Sequence, residues 1–233
     1  SDCHVVIGAL DVRVAEAAVL RLFEKSNSST LRIEVVPLDV TDDASVSKAA
    51  ECVAAKFGRN PPPLHGILNN AGINSGTMEQ VLQVNIWGQW RVCNAFIPLL
   101  NSAGGRIVNI ASGGAAHYLT KCSPERVKQF IDPSITWEQI TELMRELVSL
   151  ASAGPEAKEA LKGKGFDGGN PYYGASKALV NAYTQLLARQ YPKLRVNSCT
   201  PGNTQTPMTE PYIRRSGKSP AELGFHSPEE GAC

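Results

Sequence analysis

The sequence predicts an α/β fold with a doubly wound parallel sheet. Short apolar runs alternate along the chain with longer segments in which apolar residues recur at helical spacing. Strands that alternate with helices are typical of a parallel sheet covered by helices. The 233 residues suit one domain, 1–233, which is long enough to bury a substantial core.

The predicted strands are rich in valine, isoleucine and leucine, and they lie at residues 3–9, 31–38, 64–68, 106–110 and 195–199. The predicted helices have apolar residues three and four apart, at residues 12–25, 43–57, 78–100 and 173–191. Gly58 is expected to stop the second helix. Polar or turn-forming residues directly follow the last three strands. Because the carboxyl ends of parallel strands meet at one edge of a sheet, we expect these residues to converge there.

The composition excludes several classes of function. The net charge is +1, from 23 basic and 22 acidic residues, so neither nucleic acid nor an anionic membrane is an expected partner. No apolar run approaches the roughly 18 residues that a membrane span needs. The six cysteines are isolated, which predicts a reducing, cytoplasmic location. The four histidines have no ligand spacing, so no metal site is predicted.

The pair Tyr173 and Lys177, within the sequence YGASK, is the most informative feature. A spacing of four places both side chains on one face of a helix, about one turn apart. A lysine ammonium near a phenol stabilises the phenolate. A tyrosine in that setting can exchange a proton with a substrate oxygen near neutral pH.

Five further segments occur in an order that resembles the short-chain dehydrogenase/reductase family. They are LDV at 38–40, NNAG at 69–72, VNIWG at 84–88, RIVNIAS at 106–112, and PG at 201–202 followed by Thr204 and Thr206. The resemblance covers nearly the whole chain and implies a Rossmann-like fold. It also implies an NADP-dependent oxidoreductase, with NAD as the alternative coenzyme, that acts on a small-molecule carbonyl or alcohol.

The resemblance implies a role for each matching residue. Tyr173 would be the proton donor and Ser112 the partner of the substrate oxygen. Lys177 would hold the nicotinamide ribose, and Asn85 would fix a helix kink and a proton-relaying water. The cofactor-binding residues that it implies are Asp39, Val40, Asn70, Ala71, Gly72, Tyr173, Lys177, Pro201, Gly202, Thr204 and Thr206.

The segment between Ser112 and Tyr173 is longer than in most members of that family, which predicts a helical insertion at about 117–170. Thr136 and Gln139 form a capping box that opens a helix, which Gly154 is expected to end. The sequence CSPER at 122–126 is expected to start a shorter helix. The insertion resembles the carbonyl-reductase-like subgroup, which implies a monomer, because the insertion covers a helix face that other members use for assembly. The alternative is that the insertion is a lid and does not indicate membership of this subgroup.

The glycine-rich turn with which that family begins is missing. Residues 4–11 instead resemble the family's second strand, so we expect the first βα unit to be absent and the sheet to fall into two halves. SPEEG at 227–231 resembles the start of a late helix, so the last helix and edge strand are also expected to be absent. In the alternative, 3–9 takes the central position and Asp11 faces the pyrophosphate, which it would repel.

Two further questions stay open from the sequence. The subgroup's arginine for the 2′-phosphate of NADP matches Leu10, with Arg13 as a displaced substitute. The rival functions are a non-catalytic Rossmann-like scaffold that binds no dinucleotide and a different nicotinamide chemistry such as epimerisation. Lys121, His117 and Cys199 belong to no motif and are expected to be structural.

Overall fold

The structure, a computed structural model, describes residues 4–26, 32–167 and 170–232. The predicted alternation of strands and helices is confirmed. The strands are β1 (His4–Ala9), β2 (Arg32–Pro37), β3 (Gly66–Asn69), β4 (Arg106–Ile110) and β5 (Arg195–Cys199). Cys3 and Leu31, with which two predicted strands begin, lie outside the described residues.

The helices surround these strands. They are α1 (Val12–Ser26), α2 (Asp43–Phe57), α3 (Met78–Leu82), α4 (Gly88–Phe96), α5 (Gly113–Leu119), α6 (Pro124–Ile131), α7 (Trp137–Ala151), α8 (Ala157–Gly163), α9 (Pro171–Gln190), α10 (Glu210–Ser216) and α11 (Pro228–Gly231). Gly58 caps α2 as predicted, with its amide donating to the Ala54 carbonyl and a φ of 86° that suits glycine.

The prediction of one continuous helix over 78–100 was wrong. The chain forms α3, then a π-helical turn at Gln83–Trp87, then α4, and a short 3-10 turn at Ile97–Leu99. A π turn adds one residue to a turn and is frequent at functional sites. Asn85 lies in the middle of it.

The described strands form two parallel sheets rather than one. The first has the order β1-β2 and the second the order β3-β4-β5. The alternative with β1 in the central position was wrong, because β1 pairs only with β2 among the described strands. Within the part of the chain that the structure describes, one edge of β1 and one edge of β3 have no strand partner. Leu68 on β3 is 64% exposed.

A buried polar network fixes α9 against the three-stranded sheet. The Asn69 side-chain amide donates to Asn109 Oδ1 at 2.8 Å, and the Asn109 amide donates to Thr184 Oγ1 at 2.9 Å. Buried polar groups that are fully paired specify one arrangement of the elements that carry them. Through α9 this network sets the position of Tyr173 and Lys177 relative to the strand ends.

The predicted insertion contains α6, α7 and α8. The capping box of Thr136 and Gln139 is confirmed at the start of α7, and Ser123 caps α6. The predicted end at Gly154 was wrong, because α7 ends at Ala151 with Ser152 as its cap. Gly154, with a φ of 61°, instead opens a short 3-10 turn at Gly154–Glu156.

Helix α7 packs on the helices that carry the family motifs. Trp137 at its start stacks on Trp90 of α4 with ring centroids 5.4 Å apart, and it lies 5.4 Å from the Tyr183 ring of α9. Arg189 of α9 donates hydrogen bonds to the carbonyl oxygens of Pro133 and Ile135 before α7. The insertion therefore covers part of the outer surface of α4 and α9.

Candidate active site

Lys177 lies in the interior, one helical turn from Tyr173. Its side chain is 3% exposed, and Nζ donates a hydrogen bond of 2.6 Å to the carbonyl oxygen of Ile110 at the end of β4. The ammonium lies 5.7 Å from the centre of the Tyr173 ring. Burial lowers the pKa of Lys177 to about 8, because the charged form loses hydration. At neutral pH the amine is still mostly protonated.

Asn85 is fully buried and all of its amide hydrogens are bonded. Its Nδ2 donates to the Ile73 carbonyl and to Ser176 Oγ, both at 2.9 Å, and its Oδ1 accepts from the Ile73 amide at 2.8 Å. Ser176 in turn donates to the Tyr173 carbonyl at 2.8 Å. Asn85 therefore joins the π turn both to the loop after β3 and to the turn of α9 between Tyr173 and Lys177.

Gly72 leaves open space beside Lys177. A Cβ atom at Gly72 would lie 3.3 Å from Asn85 Oδ1 and 3.5 Å from Lys177 Nζ. A side chain there would fill the space that adjoins the buried ammonium. Asn70 and Ala71, which precede it in the same loop, are exposed at the carboxyl end of β3.

Ser112 and Tyr173 lie on either side of Gly114. Ser112 caps α5, and its Oγ accepts a 3.0 Å hydrogen bond from the Gly114 amide, which leaves the hydroxyl hydrogen free to donate. A Cβ at Gly114 would lie 3.3 Å from Ser112 Oγ and 3.7 Å from the Tyr173 ring. The Tyr173 hydroxyl has no hydrogen bond to any described residue, so both hydroxyl groups are available to a substrate.

The loop after β5 presents two of its four predicted site residues at the surface. Pro201 and Gly202 are exposed, whereas Thr204 is buried and its hydroxyl donates to the Pro201 carbonyl at 3.1 Å. Thr206 is half-buried, and its amide donates to Thr209 Oγ1 at 3.0 Å. The arrangement gives the two threonines contacts within the loop.

The predicted adenine-side residues follow β2. The Asp39 carboxylate accepts hydrogen bonds from the Thr41 hydroxyl and amide, at 2.7 and 2.8 Å, which lower its pKa, and Arg91 adds to this effect. Val40 contacts α4 closely, since a Cβ at Gly88 would lie 2.8 Å from its Cγ2. Asp39 therefore remains an anion at neutral pH, and Val40 ties the two-stranded sheet to the helix that follows Asn85.

The residues fit two parts of a dinucleotide, the nicotinamide ribose and the pyrophosphate, differently. A space beside the Lys177 ammonium is left open by Gly72 and Asn85. It suits the hydroxyls of the ribose that is attached to nicotinamide. The start of α1 does not suit a pyrophosphate, because the Asp11 carboxylate already accepts the Val14 amide at 3.1 Å. An anion at a helix N-terminus takes the place that a phosphate would need.

Several residues near the site were missed by the sequence reasoning. Ser176 lies inside the YGASK motif, and that position was a signal that could have been used. The Ile110 carbonyl could not be recognised from the sequence, because every residue has a backbone carbonyl. His117 and Lys121, expected to be structural, line a cavity of ≈ 740 Å³ together with Lys158 and Tyr172. This cavity lies between α5, the insertion helix α8 and the start of α9.

A family model described as short chain dehydrogenase matches residues 1–123 and 162–216. This chain belongs to the short-chain dehydrogenase/reductase family. The stretch between the two matched segments, 124–161, contains α6, α7 and most of α8. Most of the predicted insertion at about 117–170 therefore lies outside the segments that the family model matches.

Individual relatives support the same assignment. Short-chain dehydrogenase/reductase 1 of Saponaria officinalis is 30% identical over 242 residues, covering 90% of this chain and 73% of that protein. Carbonyl reductase (NADPH) 1 of Bos taurus is 28% identical over 233 residues, covering 94% of this chain and 78% of that protein. Salutaridine reductase from Papaver somniferum has a similar structure, with a TM-score of 0.71 at 27% identity, covering 87% of this chain and 79% of that one.

The buried lysine of this short-chain dehydrogenase is expected to make stability depend on pH. The pKa of Lys177 is about 8 when folded and near 10.5 when unfolded. Between these values the unfolded chain binds more protons, so the free energy of unfolding rises as the pH rises. The rise amounts to roughly 3 kcal/mol over the whole window.

Urea unfolding at several pH values between 7 and 11, on wild type and Lys177→Met, measures this effect. The variant removes the titrating group, so the difference between the two curves isolates Lys177 from the other lysines and tyrosines. A difference that stays constant with pH would contradict a depressed pKa.

Proposed function

We propose that this protein is an NADP(H)-dependent carbonyl reductase, which converts an aldehyde, ketone or quinone to the alcohol or runs the reverse oxidation. The observation that carries the proposal is the buried Lys177, held by the Ile110 carbonyl and one turn from the Tyr173 ring. A buried ammonium whose partner among the described residues is a carbonyl rather than a carboxylate is costly. A purely structural role for Lys177 does not account for it.

In the proposed reaction Tyr173 donates its phenolic proton to the carbonyl oxygen as negative charge develops there. Ser112 donates a hydrogen bond to the same oxygen. Its Oγ accepts from the Gly114 amide, so the hydroxyl hydrogen is free to donate. Hydrogen bonds that are aimed at a developing oxyanion contribute most where the donors are held in place before the reaction. Bound NADPH supplies the hydride to the carbonyl carbon.

Lys177 and Asn85 support that proton transfer. The Lys177 ammonium stabilises the phenolate that remains on Tyr173, and it holds the ribose hydroxyls of the coenzyme. Asn85 fixes the turn that carries both residues through Ser176. The second lone pair of Asn85 Oδ1 remains available for the relaying water that the family resemblance implies.

The remaining cofactor contacts are assigned by position. Asp39 and Val40 would line the adenine pocket, and Asn70, Ala71 and Gly72 the adjoining ribose. Pro201, Gly202, Thr204 and Thr206 would face or support the nicotinamide. NADP is favoured over NAD by the bovine relative, whose name includes NADPH. Arg13, exposed on the first turn of α1, is our candidate for the 2′-phosphate.

The pyrophosphate is not assigned to any described residue, because the start of α1 does not suit it. We therefore expect the coenzyme to be held mainly through its nicotinamide and adenine ends.

A non-catalytic scaffold is the second candidate, because the glycine-rich turn that the family resemblance implies is missing from the sequence. Against it, Asn85, Ser112, Tyr173 and Lys177 are all retained and are brought together.

The four described cysteines with free thiols, Cys52, Cys93, Cys122 and Cys199, support a reducing compartment such as the cytoplasm. Within the described residues, no helix is long and apolar enough to cross a membrane.

The chain is expected to be monomeric, because α7 covers α4 and α9 through the contacts of Trp137 with Trp90 and Tyr183. Sedimentation velocity at micromolar concentrations should give the mass of one chain. A Trp137→Ala variant, which loosens this cover, should show some dimer at the same concentrations. A stable dimer of the wild type would contradict the assignment.

The function is tested by incubating the protein with NADPH or NADH and a panel of aldehydes, ketones and quinones. We expect loss of reduced nicotinamide with at least one carbonyl, and faster loss with NADPH than with NADH. Ser112→Ala should reduce the rate about 100-fold, since it removes one donor to the oxyanion. Coenzyme binding without turnover on any substrate would favour the scaffold.

A further inference from the structure

The loop after β5 is clamped to a distant part of the chain. The amide of His226 donates to the Asn203 carbonyl, and the amide of Gln205 donates to the His226 carbonyl, both at 2.9 Å. This pair of bonds makes a short parallel bridge between Thr204 and His226. His226, which lies 22 positions beyond Thr204 in the sequence, thus bonds to the backbone of the loop on both sides of Thr204.

The His226 side chain makes a third bond to the loop. Its Nε2 lies 2.7 Å from the Pro201 carbonyl oxygen and 3.2 Å from Thr204 Oγ1. A carbonyl oxygen only accepts hydrogen bonds, so Nε2 carries a proton and donates it to Pro201. The Thr204 hydroxyl donates to the same oxygen at 3.1 Å. The Pro201 carbonyl is therefore fixed by two donors at the point where the strand turns into the loop.

Two glycines make room for this arrangement. A Cβ at Gly202 would lie 2.7 Å from His226 Cε1, and Gly202 has a φ of 74° that disfavours other residues. A Cβ at Gly231 would lie 2.5 Å from Thr204 Oγ1. The imidazole and the threonine hydroxyl thus occupy volumes that only bare backbone leaves open. The contact between His226 and the loop is therefore both closely packed and hydrogen-bonded.

We propose that His226 is a positioning residue for residues 201–206, which it holds in the conformation that faces the nicotinamide. This inference rests on the proposed function for the identity of the ligand. Pro201, Gly202 and Asn203 are exposed and lie outside any helix or strand. The other hydrogen bonds described for the backbone of this loop come from residues within it or beside it, such as Thr200 and Thr209, whereas His226 ties the loop to a distant segment. A loop that is ordered before binding costs less conformational entropy when the coenzyme arrives.

The test compares two substitutions of similar length. His226→Gln keeps an N–H group that can reach the Pro201 carbonyl, whereas His226→Met removes the donor. Hydrogen exchange reports on the loop directly, through the amides of Gln205 and of residue 226. In the methionine variant we expect both amides to exchange about tenfold faster, which corresponds to about 1.4 kcal/mol and lies within the contribution of one hydrogen bond. The glutamine variant should stay within about threefold of wild type.

Coenzyme binding provides the second readout. The Kd for NADPH should rise about tenfold in the methionine variant and be largely restored by glutamine, in line with the exchange rates. His65→Met, which changes an exposed histidine elsewhere, serves as the control. Unchanged exchange in His226→Met, or equal defects in both variants, would overturn the inference. A wild type that binds no dinucleotide would contradict the proposed function instead, and the exchange comparison would still decide whether His226 holds the loop.

Discussion

Replacing Tyr173 with phenylalanine is expected to lower kcat about 10²- to 10⁴-fold, which is the usual contribution of a general acid. The substitution removes the phenolic hydroxyl and its proton and leaves the ring against Gly114. Because that hydroxyl makes no hydrogen bond to a described residue, the variant should fold with wild-type stability. The Kd for NADPH should change less than about threefold, since Lys177 keeps its bond to the Ile110 carbonyl.

Tyr191→Phe is a matched control for this prediction. Tyr191 caps the far end of the same helix, about 27 Å from Tyr173 at 1.5 Å per residue. The Tyr191→Phe variant should retain full turnover. Steady-state kinetics with saturating NADPH, together with a separate binding titration, distinguish kcat from affinity. Turnover close to wild type in Tyr173→Phe would remove this tyrosine as the acid.

Lys177→Met is expected to impair both chemistry and binding. Turnover should fall about 100-fold or more, because the phenolate on Tyr173 loses its neighbouring cation. NADPH affinity should fall roughly tenfold or more, since a hydrogen bond to a charged group contributes about 1.5–3 kcal/mol. Methionine has a similar length and no charge to bury, so the folded state should not lose stability at neutral pH.

The control for Lys177 is Lys48→Met on the exposed face of α2, which should leave both quantities unchanged. Turnover and the dissociation constant are measured on the same preparations. A loss of turnover at unchanged affinity would contradict the ribose role of Lys177. If neither quantity changed, the proposed site itself would be wrong.

The parts of the structure that the sequence predicts best are governed by local interactions. Helix α2 begins and ends at the predicted residues, Asp43 and Phe57, with Gly58 as its predicted cap, because caps act within a few positions of the helix end. The capping box at Thr136 and Gln139 is equally local. The proximity of Tyr173 and Lys177 follows from helical spacing alone. The interior position of the ammonium does not, because it depends on β4.

The features that the sequence did not predict depend on contacts between distant residues. The π turn at Asn85 keeps the apolar pattern of an α-helix and adds only one residue, so periodicity does not reveal it. His226 reaches Pro201 across 25 positions and belongs to no motif. The cavity that contains His117 and Lys121 needs α8 of the insertion, whose packing no local rule fixes.

The central claim, that these residues form a coenzyme-dependent reductase site, is tested most directly by thermal unfolding with increasing NADPH or NADH. At tenfold excess over Kd the ligand contributes about 1.4 kcal/mol. We therefore expect a single cooperative transition that rises by roughly 3–6 °C with NADPH. The rise should be smaller with NADH and absent, at the same concentrations, in Lys177→Met. A transition that neither nucleotide shifts, at any concentration that keeps the protein soluble, would contradict the account.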